Sequence, residues 1–174
     1  ELLLDAALEG ASSKNHSIKK IVLHNCNIKP CRGCDSCRSG TCAINDDMDY
    51  ILPYLEQAGA LIIASPIYFY GLTSQVKALI DRCQVFWNRY YHHTQAQKNI
   101  PGQGALIAVG ATRGEKLFTG AILTTSYFFK ALNIEYKYEL LVRGVEEFAA
   151  IREHPQELEA AYRLGQSLVT PTAP

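Results

Sequence analysis

Four cysteines lie close together in a short polar stretch of the chain. Cys31, Cys34, Cys37 and Cys42 follow the spacing C-x2-C-x2-C-x4-C, and the residues between them are arginine, glycine, aspartate, serine and threonine. Such a composition is typical of a turn-rich loop. A loop with four soft sulfur ligands can hold an iron–sulfur cluster or a metal ion. The spacing suits a [4Fe–4S] cluster, while free thiols and zinc are the two alternatives. We call residues 30–42 the cysteine loop.

A second candidate site follows a continuously apolar run at residues 60–64, which is the pattern of a parallel strand covered on both faces. The residues that come next are Ser65, Pro66, Ile67, Tyr68 and Phe69, followed by Tyr70 and Gly71. Ligands bind at the carboxyl ends of parallel strands, and aromatic rings offer flat surfaces to a planar ligand. The alternative is that these aromatic side chains pack on neighbouring helices.

A third segment stands in the same position after the next apolar run, residues 105–109. Its residues are Gly110, Ala111, Thr112 and Arg113. Small residues at a strand end allow a ligand to approach the backbone, and Arg113 could face an anion or an electron-rich ring edge. The alternative is a turn with a solvated arginine. Because both segments follow consecutive strands of one predicted sheet, we expect them to share a site.

The elements that must position these segments alternate between strands and helices. Strands are predicted at 20–24, 60–64 and 105–109, and polar–apolar alternation at 134–142 predicts an edge strand. Helical spacing is found at residues 2–8, 48–55, 73–83 and 117–132, and from Pro155 onward. This alternation predicts an α/β fold with a doubly wound parallel sheet. Such folds begin with a strand and a phosphate-binding loop, and both are missing before the first predicted helix.

Three details refine the predicted helices. Thr73 is a plausible N-cap, and Pro155 fits the first turn of the last helix. Pro53 lies inside the second helical pattern, which predicts either a kink or a helix that begins near this proline.

Several other residues have simpler structural explanations. Lys77 and Asp81 are spaced as an exposed ion pair, and Arg82 is expected to anchor its helix. Cys26 and Cys83 are expected to be small core residues. The aromatic segment 86–93 suits either a subunit interface or a lid over the sheet, and its two histidines fit an exposed tract better than a metal site.

The composition limits the possible classes of function. Basic and acidic residues number 17 each, which gives no electrostatic case for a nucleic-acid partner. No apolar run is long enough to span a membrane. The length favours a single domain, residues 1–169, with a short tail at 170–174. A chain of this size and apolar content needs no disulfide scaffold, so we expect a reducing, cytoplasmic location.

Taken together, the cysteine loop, the Asp46-Asp47-Met48 sequence after it and the Ser65–Tyr70 segment resemble the NAD(P)H-dependent FMN reductase family. Lys77, Asp81-Arg82, Phe86-Trp87, the 110–118 segment and the 141–145 segment extend the resemblance over most of the chain. Within the family, iron–sulfur flavoproteins and multimeric flavodoxin-like proteins are the most similar. The family's phosphate loop has no match in this sequence, so the resemblance assigns no phosphate-binding residues.

The resemblance implies a flavodoxin-like sheet of five parallel strands in the order 2-1-3-4-5. It further implies FMN at the carboxyl edge, held by Ser65–Phe69 and Ala111–Arg113, and a homodimer or homotetramer. The expected activity is transfer of electrons from NAD(P)H through FMN to a quinone, another flavin or an iron–sulfur acceptor. The alternative is a non-enzymatic iron–sulfur flavoprotein that carries electrons to a protein partner. In such a fold the cysteine loop would lie on the same carboxyl edge as the flavin.

Overall fold

The computed structural model describes residues 1–13, 16–92, 101–147 and 149–170. The α-helices of these residues are α1 Leu2–Ser12, α2 Met48–Gln57, α3 Ser74–Arg82, α4 Gln84–His92, α5 Thr119–Ala131 and α6 Pro155–Leu168. The strands are β1 Ala60–Tyr68, β2 Gly71–Leu72, β3 Gly102–Gly110 and β4 Ile134–Arg143. Short 3-10 turns occupy Leu23–Asn25, Ser36–Ser39 and Ala150–Glu153.

The strands form one sheet in the order β2-β1-β3-β4. β1, β3 and β4 are parallel, and β2 is a two-residue antiparallel extension at the end of β1. This arrangement confirms the predicted α/β class with a mainly parallel sheet. The described residues form four strands in place of the expected five.

Each face of the sheet carries its own hydrophobic core. Met48 of α2, Val76 of α3 and Phe129 of α5 pack on one face, and Ala7 of α1 and Leu164 of α6 pack on the other. β3 contributes to both cores, because Leu106 and Ala108 face the first and Ala105 and Ile107 face the second. Burial on both faces explains why residues 105–109 read as a continuous apolar run.

α1 and α6 cross at unusually short range. A Cβ atom added at Gly10 would lie 2.0 Å from the carbonyl oxygen of Tyr162, and one added at Gly165 would lie 1.8 Å from that of Ala7. The two helices therefore touch through their backbones, and glycine is required at both positions.

The prediction of a strand at residues 20–24 is wrong. Residues 16–22 form no regular element, Val22 has an extended backbone, and the chain then enters the 3-10 turn Leu23–Asn25. A strand needs a neighbour to complete its hydrogen-bond ladder, and no strand among the described residues pairs with this segment. The apolar residues Ile18 and Val22 are accordingly exposed.

The remaining elements largely follow the predictions. β4 is an edge strand, and Pro155 is the first residue of α6. Thr73 occupies the N-cap position of α3, although its side chain makes no capping bond. α2 already begins at Met48 and includes Pro53, which excludes one of the two predicted alternatives, a helix that begins near the proline. Among the described helices, none combines the length and apolar character needed to cross a bilayer.

Candidate functional site

The register of the sheet places the two predicted ligand segments side by side. Ser65 pairs with Ala108, and Gly110 pairs with Arg143. β1, β3 and β4 therefore end at nearly the same level. The loops that follow them share the carboxyl edge, where ligands bind in open parallel sheets.

The end of β1 is a tight hairpin with an exposed aromatic tip. Ile67 pairs with Leu72 and Tyr68 with Gly71, which leaves Phe69 and Tyr70 as a two-residue turn. Both have left-handed backbones, with φ of 49° and 62°. Turns of this kind normally contain asparagine or glycine, and a bulky side chain with positive φ is strained. Tyr68 is 63% exposed, Tyr70 is 53% exposed and Phe69 is fully exposed, so these aromatics do not pack on the neighbouring helices.

Ser65 and Ile67 point the other way and support this hairpin from below. The hydroxyl of Ser65 donates to the carbonyl oxygen of Pro66 at 2.8 Å and accepts from the backbone N–H of Thr73 at 3.2 Å. Ser65 is buried, and Ile67 belongs to the core. Within the predicted segment, Pro66, Tyr68 and Phe69 are the residues open to a ligand.

The loop after β3 presents Arg113 at the same edge. Ala111, Thr112 and Arg113 are all exposed. The Arg113 guanidinium lies across Gly144, where an added Cβ would be 2.7 Å from Nη2, and Gly144 itself has a φ of 74°. Gly144 donates a backbone hydrogen bond to Gly110 at 2.8 Å. The Arg113 guanidinium therefore packs against the backbone that follows β4.

Two neighbouring contacts fix this loop. A Cβ at Gly110 would lie 2.8 Å from the side chain of Leu117. The absence of a side chain at Gly110 therefore makes room for Leu117, whereas we expected it to make room for a ligand. The hairpin meets the start of α5, because the Tyr70 carbonyl oxygen would lie 2.7 Å from a Cβ at Gly120. It also approaches the residue after Arg113, since the Tyr70 hydroxyl would lie 3.5 Å from a Cβ at Gly114.

A buried arginine joins the two segments that flank the cysteine loop. The Arg82 guanidinium donates to the carbonyl oxygens of Lys29 and Ile44, both at 2.9 Å, and to Asp46 Oδ2 at 2.5 Å. Asp46 also accepts from the backbone N–H of Lys29 at 2.8 Å and of Met48 at 3.0 Å. The Arg82 side chain thereby connects both ends of the loop to α3. Arg82 was expected to anchor its helix, and it anchors the loop as well.

The environment of Asp46 stabilises its charged form. Burial of the carboxyl group opposes ionisation, but the hydrogen bonds from Arg82 and from the two backbone N–H groups outweigh it. The pKa of Asp46 is consequently below its ordinary value.

Two residues of α4 hold the middle of the cysteine loop. Asn88 donates from Nδ2 to Cys37 Sγ at 3.0 Å. Arg89 donates to the carbonyl oxygen of Gly40 at 2.9 Å and pairs with Glu56 at 2.8 Å. Glu56 lies in the last turn of α2, which leads into the amino-terminal end of β1. The middle of the loop is therefore connected both to α4 and to the last turn of α2.

The thiols of the loop are not gathered around one point. Across residues 1–13, 16–92, 101–147 and 149–170, no three His, Cys, Asp or Glu side chains are placed to hold a metal ion. Cys31 and Cys34 are exposed, and Cys37 and Cys42 are half-buried. A hydrogen bond from Ser36 lowers the pKa of Cys34. Four sulfur ligands have the right chemistry for a cluster, but their arrangement here does not fit one.

Other predicted residues fall outside the site. Lys77 and Asp81 form an exposed pair at 2.7 Å, and Cys83 is buried, which raises the pKa of its thiol, as expected for a core residue. Phe86 is buried in the core, whereas Tyr90 is 41% exposed. The side chains of His92 and His93 lie outside the described residues.

The sequence interpretation did not assign roles to Asp46, Asn88 and Arg89. The contacts Asp46–Arg82, Asn88–Cys37 and Arg89–Gly40 span 36, 51 and 49 residues of the chain, so no local spacing identifies them. A polar residue within an aromatic helix, such as Asn88 beside Trp87, was the available signal for a buried partner.

Comparison with known proteins gives consistent results. A sequence model described as NADPH-dependent FMN reductase matches residues 1–128. An iron–sulfur flavoprotein of Archaeoglobus fulgidus is 31% identical over 116 residues, covering 66% of this chain and 50% of that protein. YwqN of Bacillus subtilis, whose name describes an NAD(P)H-dependent FMN-containing oxidoreductase, is 27% identical over 165 residues, covering 94% and 87%.

A solved structure supports the fold. The NAD(P)H:quinone oxidoreductase from Methanothermobacter marburgensis superposes with a TM-score of 0.69 at 18% identity, over 99% of this chain and 90% of that one. At this identity the similarity establishes the fold alone. The chain spans about half the length of the iron–sulfur flavoproteins it matches.

Proposed function

The chain belongs to the NADPH-dependent FMN reductase family, and on this basis we propose that it is an FMN-dependent oxidoreductase. It oxidises NAD(P)H and passes the electrons to a quinone, another flavin or an iron–sulfur acceptor. The observation that supports this most directly is the alignment of the hairpin, the Ala111–Arg113 loop and Gly144 at one carboxyl edge. We assign this site to one FMN-binding domain, residues 1–169.

The proposed FMN site uses the exposed residues of both segments. Pro66, Tyr68 and Phe69 offer apolar surface to the isoalloxazine ring, and Ser65 and Ile67 hold the hairpin in place behind them. Ala111 and Thr112 leave room beside the ring. Arg113 makes no ion pair within the described part of the chain, and its seated guanidinium suits an electron-rich ring edge.

The chemistry of this reaction requires little from the protein beyond position and electrostatics. FMN, when bound, accepts a hydride from the nicotinamide and releases electrons to an acceptor. The side chains at this edge orient the ring and exclude water from one of its faces. A cation at Arg113 favours negative charge developing nearby. No dedicated acid–base pair is needed, in agreement with the residues present at this edge.

Reconstitution tests the proposal. We expect the purified chain to bind FMN, and the complex to oxidise NADH or NADPH in the presence of quinones, free flavins or dyes. Arg113→Ala and Tyr68→Ala are expected to weaken FMN binding, while Lys77→Ala, which removes the exposed pair on α3, is the control. FMN binding without turnover of any acceptor would reject the enzyme and leave the flavin site intact.

An electron carrier is the second candidate function. It is favoured by the names of several relatives, which are iron–sulfur flavoproteins, and by the four closely spaced cysteines of this chain. The placement of the thiols is against a cluster preassembled in this chain. The turnover assay distinguishes the two candidates, and iron and sulfide analysis after anaerobic purification tests for the cluster. Four irons and four sulfides per chain would support the carrier, and iron-free protein would reject the cluster.

We further propose that the protein forms a homo-oligomer through the outer face of α5. Leu123 and Tyr127 lie one turn apart on this face and are each 59% exposed, and the backbone of Tyr70 in the hairpin approaches Gly120 of the same helix. Residues 119–127 contain no charge, so two copies of the face can meet without repulsion. Light scattering of Leu123→Glu should show smaller particles than wild type, and an unchanged mass would reject this interface.

A cytoplasmic location is also part of the proposal. All six cysteines are free thiols, and free thiols persist in a reducing compartment. Fractionation of cells that express the tagged chain tests this location.

A further inference from the structure

The last residue of β4 reaches back over the segment that carries Arg113. Arg143 pairs with Gly110 at the end of the sheet. Its Cζ atom lies 4.8 Å from the centre of the Phe118 ring, and its Nη2 donates to the carbonyl oxygen of Glu115 at 3.5 Å. Phe118 is 1% exposed and occupies the N-cap position of α5. Arg143 therefore packs on a ring that is itself fixed in the core.

Arg113 makes the opposite connection. Its Nη2, Cζ and Nε atoms lie 2.7, 2.9 and 3.1 Å from a Cβ placed on Gly144, which is the residue after Arg143. Gly144 in turn donates its backbone N–H to the carbonyl oxygen of Gly110. One arginine thus leads from the loop after β3 to the end of β4, and the other leads back to the same loop. The two segments interlock through two guanidinium groups.

These contacts orient the two guanidiniums without neutralising them. Within residues 1–13, 16–92, 101–147 and 149–170, no carboxylate lies at ion-pair distance from Arg113 or Arg143. The π face of Phe118 and a backbone carbonyl oxygen hold Arg143, and both are groups that bind a planar guanidinium in a defined orientation. Removal of Arg143 would therefore leave the charge of Arg113 unchanged and alter its position.

We propose that Arg143 is a positioning residue for the FMN site, which holds segment 113–118 so that the Arg113 guanidinium stays against Gly144. This inference rests on the FMN site proposed above. The action of Arg143 passes through Phe118 and the Glu115 carbonyl oxygen to Arg113. Without Arg143 the segment keeps its own turn but loses its contact with the end of β4. FMN must then order this segment as it binds, which lowers its affinity.

The first measurement is a double-mutant cycle in FMN binding, followed by fluorescence titration. Arg143→Leu keeps apolar contact with Phe118 and removes the guanidinium, and we expect the FMN dissociation constant to rise about five- to tenfold. In the Arg113→Ala background the same substitution should change the constant by less than about twofold, because no guanidinium is left to position. Equal effects of Arg143→Leu in the two backgrounds would overturn the proposal.

The salt dependence separates positioning from a direct effect of charge. A contact that fixes geometry should give the same ratio of dissociation constants, Arg143→Leu over wild type, at about 50 mM and about 500 mM salt. A ratio that falls toward one at the higher concentration would show that Arg143 attracts FMN through its charge alone. That result would overturn the positioning role.

Limited digestion with trypsin tests the same contact in the full chain without FMN. Trypsin cleaves after Arg113 and Lys116, and both lie in the segment that Arg143 is proposed to hold. We expect cleavage at these two residues to be at least about threefold faster in Arg143→Leu than in the wild type, because cleavage follows the population of the open segment. Cleavage after Lys77, an exposed residue of α3, should keep its wild-type rate.

The matched control is Arg163→Leu, which removes an exposed arginine paired with Glu159 on α6. It should change neither FMN binding nor the cleavage rates. Unchanged cleavage in Arg143→Leu, or faster cleavage at Lys77 as well, would overturn the positioning role. A wild-type chain that binds no FMN would instead reject the proposed flavin site, so the two failures are distinguishable.

Discussion

Arg82 and Asp46 form an ion pair of 2.5 Å whose side chains are 1% and 0% exposed, and this pair joins α3 to the end of the cysteine loop. The residues are 36 positions apart in the chain. The two charges compensate each other, and backbone groups add further hydrogen bonds to both. Such a pair is sensitive to the loss of either partner, because the remaining charge stays buried.

The first prediction concerns stability. Replacing Asp46 with asparagine leaves the Arg82 guanidinium buried beside a neutral group, so we expect a loss of about 3–5 kcal/mol in the free energy of unfolding. Asp81→Asn is the matched control, since it removes a carboxylate from an exposed pair on α3, the helix that carries Arg82. It should lower the free energy of unfolding by no more than about 0.5 kcal/mol. Urea denaturation of both variants measures the difference. Equal losses would contradict a structural role for the buried pair.

The second prediction follows from the lowered pKa of Asp46. A carboxyl group whose pKa is lower in the folded protein stabilises it when ionised. That stability is present above the unfolded pKa of about 3.9 and is lost as the pH falls toward the folded value. We expect the free energy of unfolding to decrease with acidification below about pH 4, and this decrease to be smaller in Asp46→Asn. A denaturation series between pH 3 and pH 6 tests the slope, and identical slopes would exclude Asp46 as a cause.

The third prediction concerns the strained hairpin. Phe69 has a φ of 49° and is fully exposed, so it contributes strain without packing. Phe69→Asn should raise the free energy of unfolding by about 1 kcal/mol, because asparagine tolerates the left-handed region. If the phenyl ring contacts FMN, the same variant should bind FMN more weakly. Phe69→Leu, which retains the strain and loses the ring, should weaken FMN binding without a gain in stability.

The fourth prediction concerns the contact between Arg113 and Gly144. Gly144→Ala places a methyl group 2.7 Å from Arg113 Nη2 and forces alanine into a φ of 74°. We expect a loss of about 1–2 kcal/mol in stability and an FMN dissociation constant that rises as in Arg113→Ala. Gly59→Ala is the control, since no atom lies within 4 Å of its added Cβ. Fluorescence titration with FMN measures binding. A wild-type dissociation constant for FMN in Gly144→Ala would mean that Arg113 supports FMN binding without its contact to Gly144.

The fifth prediction concerns the crossing of α1 and α6. Glycine to alanine in a helix normally stabilises it by about 1 kcal/mol. At Gly165 the added Cβ would meet the Ala7 carbonyl oxygen at 1.8 Å, so we expect the opposite sign and a marked drop in the melting temperature. Ala160→Gly, on the exposed side of α6, gives the helix-propensity scale for comparison. A higher melting temperature for Gly165→Ala than for the wild type would show that α1 and α6 can move apart at little cost.

Much of the fold could be predicted because its signals are local. The apolar run at 105–109 predicted a strand buried on both faces, and β3 is such a strand. Pro155 marked the first residue of α6. The strand predicted at 20–24 failed because a strand depends on its neighbour, and the residues themselves do not reveal whether a neighbour is present. Pro53 failed as a boundary because packing of Met48 and Ile51 in the core outweighs the missing hydrogen bond.

The sequence by itself determined the chemistry of this protein: which side chains are present, that two ligand segments follow consecutive strands, and which family the chain resembles. The tertiary structure alone decided how those side chains are used. It turned Phe69 outward on a strained turn, packed Arg113 against Gly144, and left two cysteines of the loop exposed and two half-buried. The physical reason is that the partners of these residues come from distant parts of the chain, and only the folded backbone brings them together.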